Sequence, residues 1–527
     1  MNTRKILSML LLCAMLVSMM AGCGGKKEEA APAAPAAPGE AAAPAAPAEP
    51  VENDTPVVVY AASQFNTLDP YATNGTCDNW IFTNVFETLV TVESDGSIVP
   101  QLATDWDVSE DGLTYTFHLV EDSYFHNGEN VKASDVVWTI EYAQQNVKRA
   151  TYYGPIESAK AIDDYTVEIT LKQLSPMFLA YLYYIPVLSE KFASENDVAQ
   201  AACGSGPYKI ADFDSATHCT LEAVENYHGG TPAIKTVEMR HIADASSAQV
   251  SFEAGEIQVM EVNTSAAMGI IDSGLYNTAE VPTMHCTMIL INNTKAPLDN
   301  QLLRKAMSYA IDKQGVIDIA YDGFASEMRM MADVDSFGVD FSDAEEISYN
   351  PEKAKELLAE AGYPDGINLG DYGIQLNTLT TGYYGKVAEV VQGNLADVGI
   401  QVEIVGNSNA STDISSANYG LFCYAYAYKT DFSYSQAHYT SKNIGGSNGS
   451  HFSDAYVDEA FAKGDAETDP EARKAIYKDL TTHIVDQAPN IPIFKKSIII
   501  ASDKNLYITV NGDVNHQYAF YQWSWLS

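Results

Sequence analysis

The run TYTFHLVEDSYFHNGENVKASDVVWTIEYA, residues 114–143, changes its period midway. Tyr115, Phe117 and Leu119 alternate onto one face of an extended strand. Asn127-Gly128 supplies a turn, and Ser134 is placed to cap a helix starting at Asp135. A chain that switches from period 2 to period 3.6 must cover sheets with helices, which predicts mixed α/β layers. The switch recurs. Strands are predicted at Val57–Ala62, YTVEITL (165–171) and GIQVEIV (399–405). A helix is predicted from Pro351, capped by Asn350 and ended at Gly362, the usual placement of proline and glycine. Val387, Val391, Leu395 and Val398 form one helical stripe, and Asp469-Pro470 opens a helix reaching about Gln487. With 527 residues, 46 % of them apolar, the chain is too long for one domain and predicts two or three lobes.

The first 54 residues stand outside that pattern. Arg4 and Lys5 precede an apolar run, Ile6 to Met20, and Ala21-Gly22 leads into Cys23. This order is that of a secretory signal peptide over residues 1–22. A Cys after Ala-Gly resembles the bacterial lipoprotein junction, although Met20 stands where Leu is commoner. The resemblance implies a diacylglyceryl thioether on Cys23 and attachment to the outer face of the cell membrane, since two acyl chains anchor stably. Residues 23–54 then form an Ala/Pro-rich linker that cannot bury a core. At about 3.1 Å per residue, its proline-rich part reaches roughly 65 Å.

Removing residues 1–22 takes away two positive charges and no acids, so the net charge moves from −40 to −42. Nucleic acid and anionic lipid are poor partners for such a surface, whereas a cation gains from its field. Outside the leader and Cys23, five cysteines remain: Cys77, Cys203, Cys219, Cys286 and Cys423. An odd number excludes complete pairing. Cys203 and Cys219 flank a predicted hairpin, so a bridge between them stays open. No cysteine or histidine spacing suggests a zinc site.

Several stretches together resemble the extracellular solute-binding proteins of peptide/nickel-type ABC importers. They are VFETLVTVESDGSIVPQLATDWDVSEDGLTYTFHLVEDSYFHNGENVKASDVVWTIEYA, GSGPYKI, ENYHGGTPAIKTVEMR, INNTKAPLDNQLLRKAMSYAIDK, YNPEKAKELLAEAGYPDG and DQAPNIPIF, in family order over residues 57–527. The resemblance implies a two-lobed periplasmic-binding-protein-like α/β fold of class II, large cluster C type. Lobe I would take residues 55–290, with an extra subdomain near 85–200, and residues 493–527. Lobe II would take residues 291–492, with crossovers near 288–294 and 490–497. The lobes would close on a solute for a membrane permease, the protein would be a monomer, and neither catalysis, cofactor nor metal is implied. GEIQVM (255–260) departs from the family's Gly-Glu-Ile-Asp, with Gln258 in the Asp position.

LFCYAYAYKTDFSYSQAHY, residues 421–439, holds seven aromatic residues, four of them alternating at Phe422, Tyr424, Tyr426 and Tyr428. By pattern alone this is a core strand or a binding wall. In peptide-binding relatives a strand of lobe II ends in Trp-x-x-Asp, whose acid receives the peptide's ammonium. Tyr428-Lys429-Thr430-Asp431 matches that motif with Tyr for Trp. Asn74-Gly75-Thr76 matches the facing loop of lobe I. The resemblance thus implies Asp431, a lone carboxylate, at the ligand ammonium. Tyr426, Tyr428, Lys429, Asn74, Gly75 and Thr76 would surround the ligand backbone. A buried ammonium needs such a paired charge. TLTTGYYGK (378–386) lacks the Arg by which dipeptide receptors hold a carboxylate, which favours longer peptides. A receptor for a nickel chelate, haem, an opine or another cationic or aromatic solute is the alternative.

Other motifs carry less. GGSNG (445–449) fits G-x-S-x-G, but no hydrophobic strand precedes it, so it reads as a flexible loop. DVDSFG (333–338) opens like a calcium loop, but Phe337 stands where an oxygen ligand belongs. His438 and His451 flank the glycine-rich loop and read as solvent-facing. Asp69 reads as a turn or cap residue. If Cys23 is lipidated, Cys23→Ser protein should leave the detergent phase in a cloud-point partition of whole cells. Its retention there would remove the anchor.

Overall fold

The computed structural model describes residues 51, 53–93, 97–146, 148–332, 335–510 and 518–527. Cys23, the leader and most of the linker lie outside them, as does Asp333 of the calcium-like stretch. Among the described residues no helix is long and apolar enough to cross a membrane.

Two long antiparallel strands, Asn277–Ile291 and Asn490–Ser502, lie side by side in an 11-stranded sheet. At one end Asn277–Pro282 pairs with Ser497–Ser502, and the sheet continues through Val259–Val262 and Val57–Ala61 to Thr236–His241. At the other end His285–Ile291 pairs with Leu421–Ala427, which leads on to Leu376–Leu379 and Ile404–Asn407. Between Pro282 and Cys286 the register shifts. That irregularity comes before the 288–294 stretch expected for the first crossover, because the strand runs on without a break to Ile291.

The cores explain the two lobes. One apolar cluster runs along a whole face of the sheet, taking Val58 and Tyr60 at one end and Ile289, Leu376 and Cys423 at the other. On the opposite face there are two separate clusters. One holds Val57, Val59, Val281 and Ile498, and the other holds Cys286, Met288, Phe422 and Tyr428. The chain is therefore a two-lobed α/β protein whose lobes share one core on one face and part on the other. VVVYA (57–61) shows no polar alternation because both of its faces are buried. A second sheet of Ala103–Val108, Thr114–Leu119, Thr166–Leu171 and Ile156–Ala161, with the helix Ala133–Gln144, lies within the span expected for a subdomain.

Local chemistry accounts for the element ends. Asn350 Oδ1 accepts from Lys353 N at 3.0 Å, and Gly362 beyond the helix has φ +100°. Asp469 Oδ1 accepts from Ala472 N at 2.8 Å, and that helix spans Pro470–Gln487. GSGPY is more than a turn. A Cβ on Gly204 would lie 1.9 Å from the Val85 carbonyl oxygen, so only glycine lets this segment lie against the helix Thr76–Val85. Gln258 takes a backbone-like place beside the strand Val57–Ala61, accepting from Val58 N at 2.9 Å.

Four expectations are corrected. The helix near 133 starts at Ala133, not Asp135, because the Asp135 carboxylate reaches back to Lys132 N at 3.0 Å from the third helical position. GIQVEIV splits into Ile400–Gln401 and Ile404–Asn407, which pair in different sheets. The GGSNG loop is packed: Asn448 is fully buried and a Cβ on Gly449 would lie 2.5 Å from Tyr426 Oη. His438 and His451 are buried, with ring nitrogens bonded to the Ser447 and Ile414 carbonyls. None of the five described cysteines is in a disulfide, Cys203 and Cys219 included, and all five are buried.

Burial pushes the pKa of His438 down to about 4, and likewise that of His126. Both are neutral when folded and titrate near 6.5 when unfolded. Their contribution is complete above pH 6.5 and is lost as the pH falls towards 4. At pH 5 the loss is about 2 kcal/mol per group. His228 acts in the opposite sense, because its bond to Glu87 raises its pKa. The urea midpoint should therefore fall between pH 7.5 and 5, and fall less in His438→Gln. An equal fall in both proteins would contradict a buried neutral imidazole.

Candidate functional site in the interlobe gap

The aromatic strand Leu421–Ala427 presents Phe422, Tyr424, Tyr426 and then Tyr428 to the core of one lobe. Phe422 and Tyr428 are buried in it, while Tyr424 and Tyr426 are half-buried at its border. Their rings succeed one another at 5.9 and 5.1 Å, and Tyr426 then meets the His438 ring at 4.5 Å. The alternation is thus largely a core ladder. One edge of the strand is paired throughout with His285–Ile291. The other edge is paired with Leu376–Thr378 only at Leu421–Cys423, so Tyr424–Ala427 has no strand partner on that side among the described residues.

After the strand the chain turns sharply. Tyr428 N donates to the Met284 carbonyl at 2.9 Å and Phe337 N donates to the Thr430 carbonyl at 2.6 Å. Asp431 is not the lone carboxylate expected. Arg473 grips it with both terminal nitrogens, Nη1 to Oδ2 at 2.7 Å and Nη2 to Oδ1 at 2.8 Å. Ser433 N adds a bond to Oδ1 at 2.8 Å, which opens the short helix Phe432–Ser435. Both side chains are largely buried, and the planar fork suits a carboxylate. Burial alone would lower the pKa of Arg473, yet Asp431 leaves it raised.

The facing loop is built from side-chain hydrogen bonds. Asp78 Oδ2 accepts from Thr73 Oγ1 at 2.8 Å and from Asn66 Nδ2 at 2.7 Å. Gly75 N donates to Thr73 Oγ1 at 2.9 Å, and a Cβ on Gly75 would lie 2.3 Å from Asp78 Oδ2. Asn74 is exposed, and its amide donates to the Lys148 carbonyl at 3.2 Å. Thr76 opens the helix Thr76–Val85 and is partly exposed. Arg149 holds the loop from behind, with Nε to the Thr73 carbonyl at 3.0 Å and Nη2 to Asn79 Oδ1 at 2.5 Å. Asp69 makes a turn by accepting from Tyr71 N at 2.9 Å, and its other oxygen accepts from Tyr142 Oη at 2.8 Å.

The two walls touch at Lys429. Lys429 Nζ donates to Tyr184 Oη at 2.7 Å and lies 4.4 Å from that ring's centre. Tyr184 stacks on Tyr152 at 4.3 Å, and Tyr152 packs edge-on against Tyr181 at 5.7 Å. Burial pushes the Tyr152 phenol up to about 12. Burial also raises the Tyr181 pKa, helped by Tyr434 and, more weakly, by Asp431 from the other wall. Gln173 and Leu174 of the four-stranded domain face Gln436, Thr440, Phe461 and Asp465 across a cavity of about 580 Å³. Burial raises the Asp465 pKa, and its Oδ2 accepts from Gln436 Nε2 at 3.1 Å.

The structure thus brings Lys429 and Asp431 together, and through Arg149 it joins the Asn74–Thr76 loop to the same aromatic wall. Tyr428 lies in the core. Sequence reasoning missed Arg473, Arg149, Tyr152 and Tyr184. The only signal was scarcity, five arginines after Arg4, and the tyrosine pairs at 152–153 and 183–184. Among the described residues no group of three His, Cys, Asp or Glu is arranged to hold a metal.

The profile of "Bacterial extracellular solute-binding proteins, family 5 Middle" matches residues 97–449. The chain belongs to this family. It is an extracytoplasmic substrate-binding protein of an ABC importer, not an enzyme. It is 26% identical over 478 residues to a glutathione-binding protein of Salmonella typhi, covering 85% of this chain and 91% of that one. The ABC transporter substrate-binding protein CtaP of Listeria monocytogenes superposes with TM-score 0.81 at 22% identity, covering 90% of this chain and 99% of that one. The Helicobacter pylori protein DppA, solved with the peptide STSA, superposes with TM-score 0.72 at 23% identity, covering 90% and 98%.

Arg473→Met would leave the Asp431 carboxylate buried without its partner. It should cost roughly 3–5 kcal/mol in urea unfolding. Most of that loss should return in Arg473→Met combined with Asp431→Asn. A loss below about 1 kcal/mol would mean that the pair is solvated like a surface bridge.

Proposed function

We propose that this family member captures peptides or peptide-like solutes, oligopeptides above all, in the gap between its lobes and hands them to an ABC permease. The open edge of Tyr424–Ala427 carries the reading. An extended peptide adding to that edge gains main-chain hydrogen bonds, as in β-augmentation, and tolerates many side chains. Half-buried Tyr424 and Tyr426 offer flat apolar surface with polar tips beside it. A cavity of about 580 Å³ lies between Gln173 and Leu174 on one side and Gln436, Thr440 and Asp465 on the other, a volume that would hold more than a dipeptide.

In this reading lobe I takes residues 55–290 and 493–527, lobe II takes 291–492, and closure bends the sheet at the register shift near Pro282–Cys286. Asp431 keeps its place at the ligand ammonium, as the acid of an ion pair with Arg473. The Oδ2 atom has one partner among the described residues, so it retains a lone pair for a second donor. Asn74, Gly75 and Thr76 form the opposite wall, with Tyr426 and Lys429 on the near one and Tyr428 packed in the core behind them. The protein acts as a monomer, tethered through a lipid on Cys23 by the Ala/Pro linker.

Isothermal titration with trialanine and its backbone N-methylated analogues tests the reading. Methylation of an amide that pairs with the strand should weaken binding roughly three- to tenfold. Asp431→Asn should weaken free-amine peptides more than N-acetylated ones. If trialanine and other short peptides fail to bind, or N-methylation changes nothing at any position, peptide is not the solute.

A further inference from the structure

We infer that the ligand carries a carboxylate, held between Arg149 of one wall and Lys429 of the other. The inference rests on reading the interlobe gap as the ligand site, and it adds the charge of the ligand to that reading.

In a chain with 70 acids and 30 basic residues, a buried cation should find an acid easily. Among the described residues five lysine and arginine side chains are buried: Arg149, Arg304, Lys313, Lys429 and Arg473. Arg473 pairs with Asp431. Arg304 lies in a cage of backbone carbonyls from Leu298, Asp299, Gln487 and Ala488. Lys313 donates to the Met328 carbonyl within the core of its lobe. The remaining two are served differently. Lys429 has only a neutral phenol, Tyr184, for its ammonium. Arg149 has one carbonyl and one side-chain amide, and its Nη1 has no partner among the described residues.

The two cations also converge. Tyr152 and Tyr184 form one stacked pair, Lys429 lies over Tyr184, and Arg149 is an electrostatic neighbour of both rings. Two like charges on one aromatic pair, away from bulk water, repel. The acids around them are engaged. Asp69, near Arg149, accepts from Tyr71 N and the Tyr142 hydroxyl, and Asp431 is held by Arg473. Burial lowers the Arg149 pKa, and Asp69 and the neighbouring tyrosines offset this only in part. A carboxylate entering the gap supplies the missing charge, with the guanidinium giving direction and the ammonium a point charge. Loop 378–386 therefore does not need an arginine for an acidic ligand to be held.

The test is titration calorimetry of the wild-type protein with trialanine, trialanine amide and Ala-Glu-Ala amide. At least one carboxylate-bearing peptide should bind roughly tenfold or more tighter than trialanine amide. Trialanine reports a terminal carboxylate and Ala-Glu-Ala amide an acidic side chain. Lys429→Gln should reduce that ratio to below about threefold, a loss that altered folding alone would not direct at charge. Arg149→Gln should do the same, but it also holds Thr73 and Asn79, so Lys429→Gln decides. Equal affinity for charged and amidated peptides, or a ratio unchanged in Lys429→Gln, overturns the inference while leaving peptide as the solute. If no peptide binds, succinate and citrate are titrated instead. Their binding, weakened in Lys429→Gln, upholds the carboxylate site and discards the peptide. Their failure to bind discards both.

Discussion

The pairing of Asn277–Ile291 with Asn490–Ser502 is the constraint on which the rest of the molecule depends. Both strands pass through both lobes, so the lobes cannot separate without breaking a continuous backbone ladder. In the proposed reading they bend where the ladder is irregular, between Pro282 and Cys286, because a register shift there weakens the pairing and increases local twist. The shared core on one face resists opening on that side. The divided cores on the other face leave it free to open there. Lys429 and Tyr184 meet on that divided side, which is why the contact between the walls and the proposed ligand site coincide.

The ion pair of Asp431 and Arg473 serves that geometry. It fixes the turn that follows the aromatic strand, because Asp431 also receives Ser433 N and starts the helix Phe432–Ser435. Gly464 leaves no room for a side chain beside Tyr477, and its carbonyl accepts from Arg473 Nε at 3.0 Å. The guanidinium also lies 4.9 Å from the centres of the Phe337 and Tyr477 rings. A buried pair set among such neighbours keeps Lys429 and the residues around it in one position, which a site must have before a ligand arrives.

Much of the fold was legible because its signals are local. Asn350-Pro351 and Asp469-Pro470 open helices for reasons contained within one turn, and the stripe of Val387, Val391 and Leu395 needs only its own period. The division of GIQVEIV was not legible, because its two halves pair with strands that sequence does not align with them. His438 and His451 read as loop residues since their neighbours are Gly, Ser and Asn. Their burial comes from distant packing against Tyr426 and the Ile414 carbonyl. The site shows the same limit. A motif of four residues marked Asp431, but the partner Arg473 lies 42 positions away on another helix. Arg149 and Tyr184 are brought to Lys429 only by the approach of the two lobes.

That approach has an energetic consequence. A solute shifts the open–closed balance only by as much as it binds the closed form better than the open one. In the proposed reading, closing brings Lys429 against the aromatic pair that Arg149 already serves, and without an anion the two cations would meet there uncompensated. An anionic ligand removes a cost that exists only when the lobes are together, and its charge then acts on closure itself rather than equally on both forms. A neutral ligand of the same shape gains the strand pairing but leaves the repulsion in place. The gap therefore selects for charge at the step a permease would read, while the open strand edge, indifferent to side chains, supplies breadth.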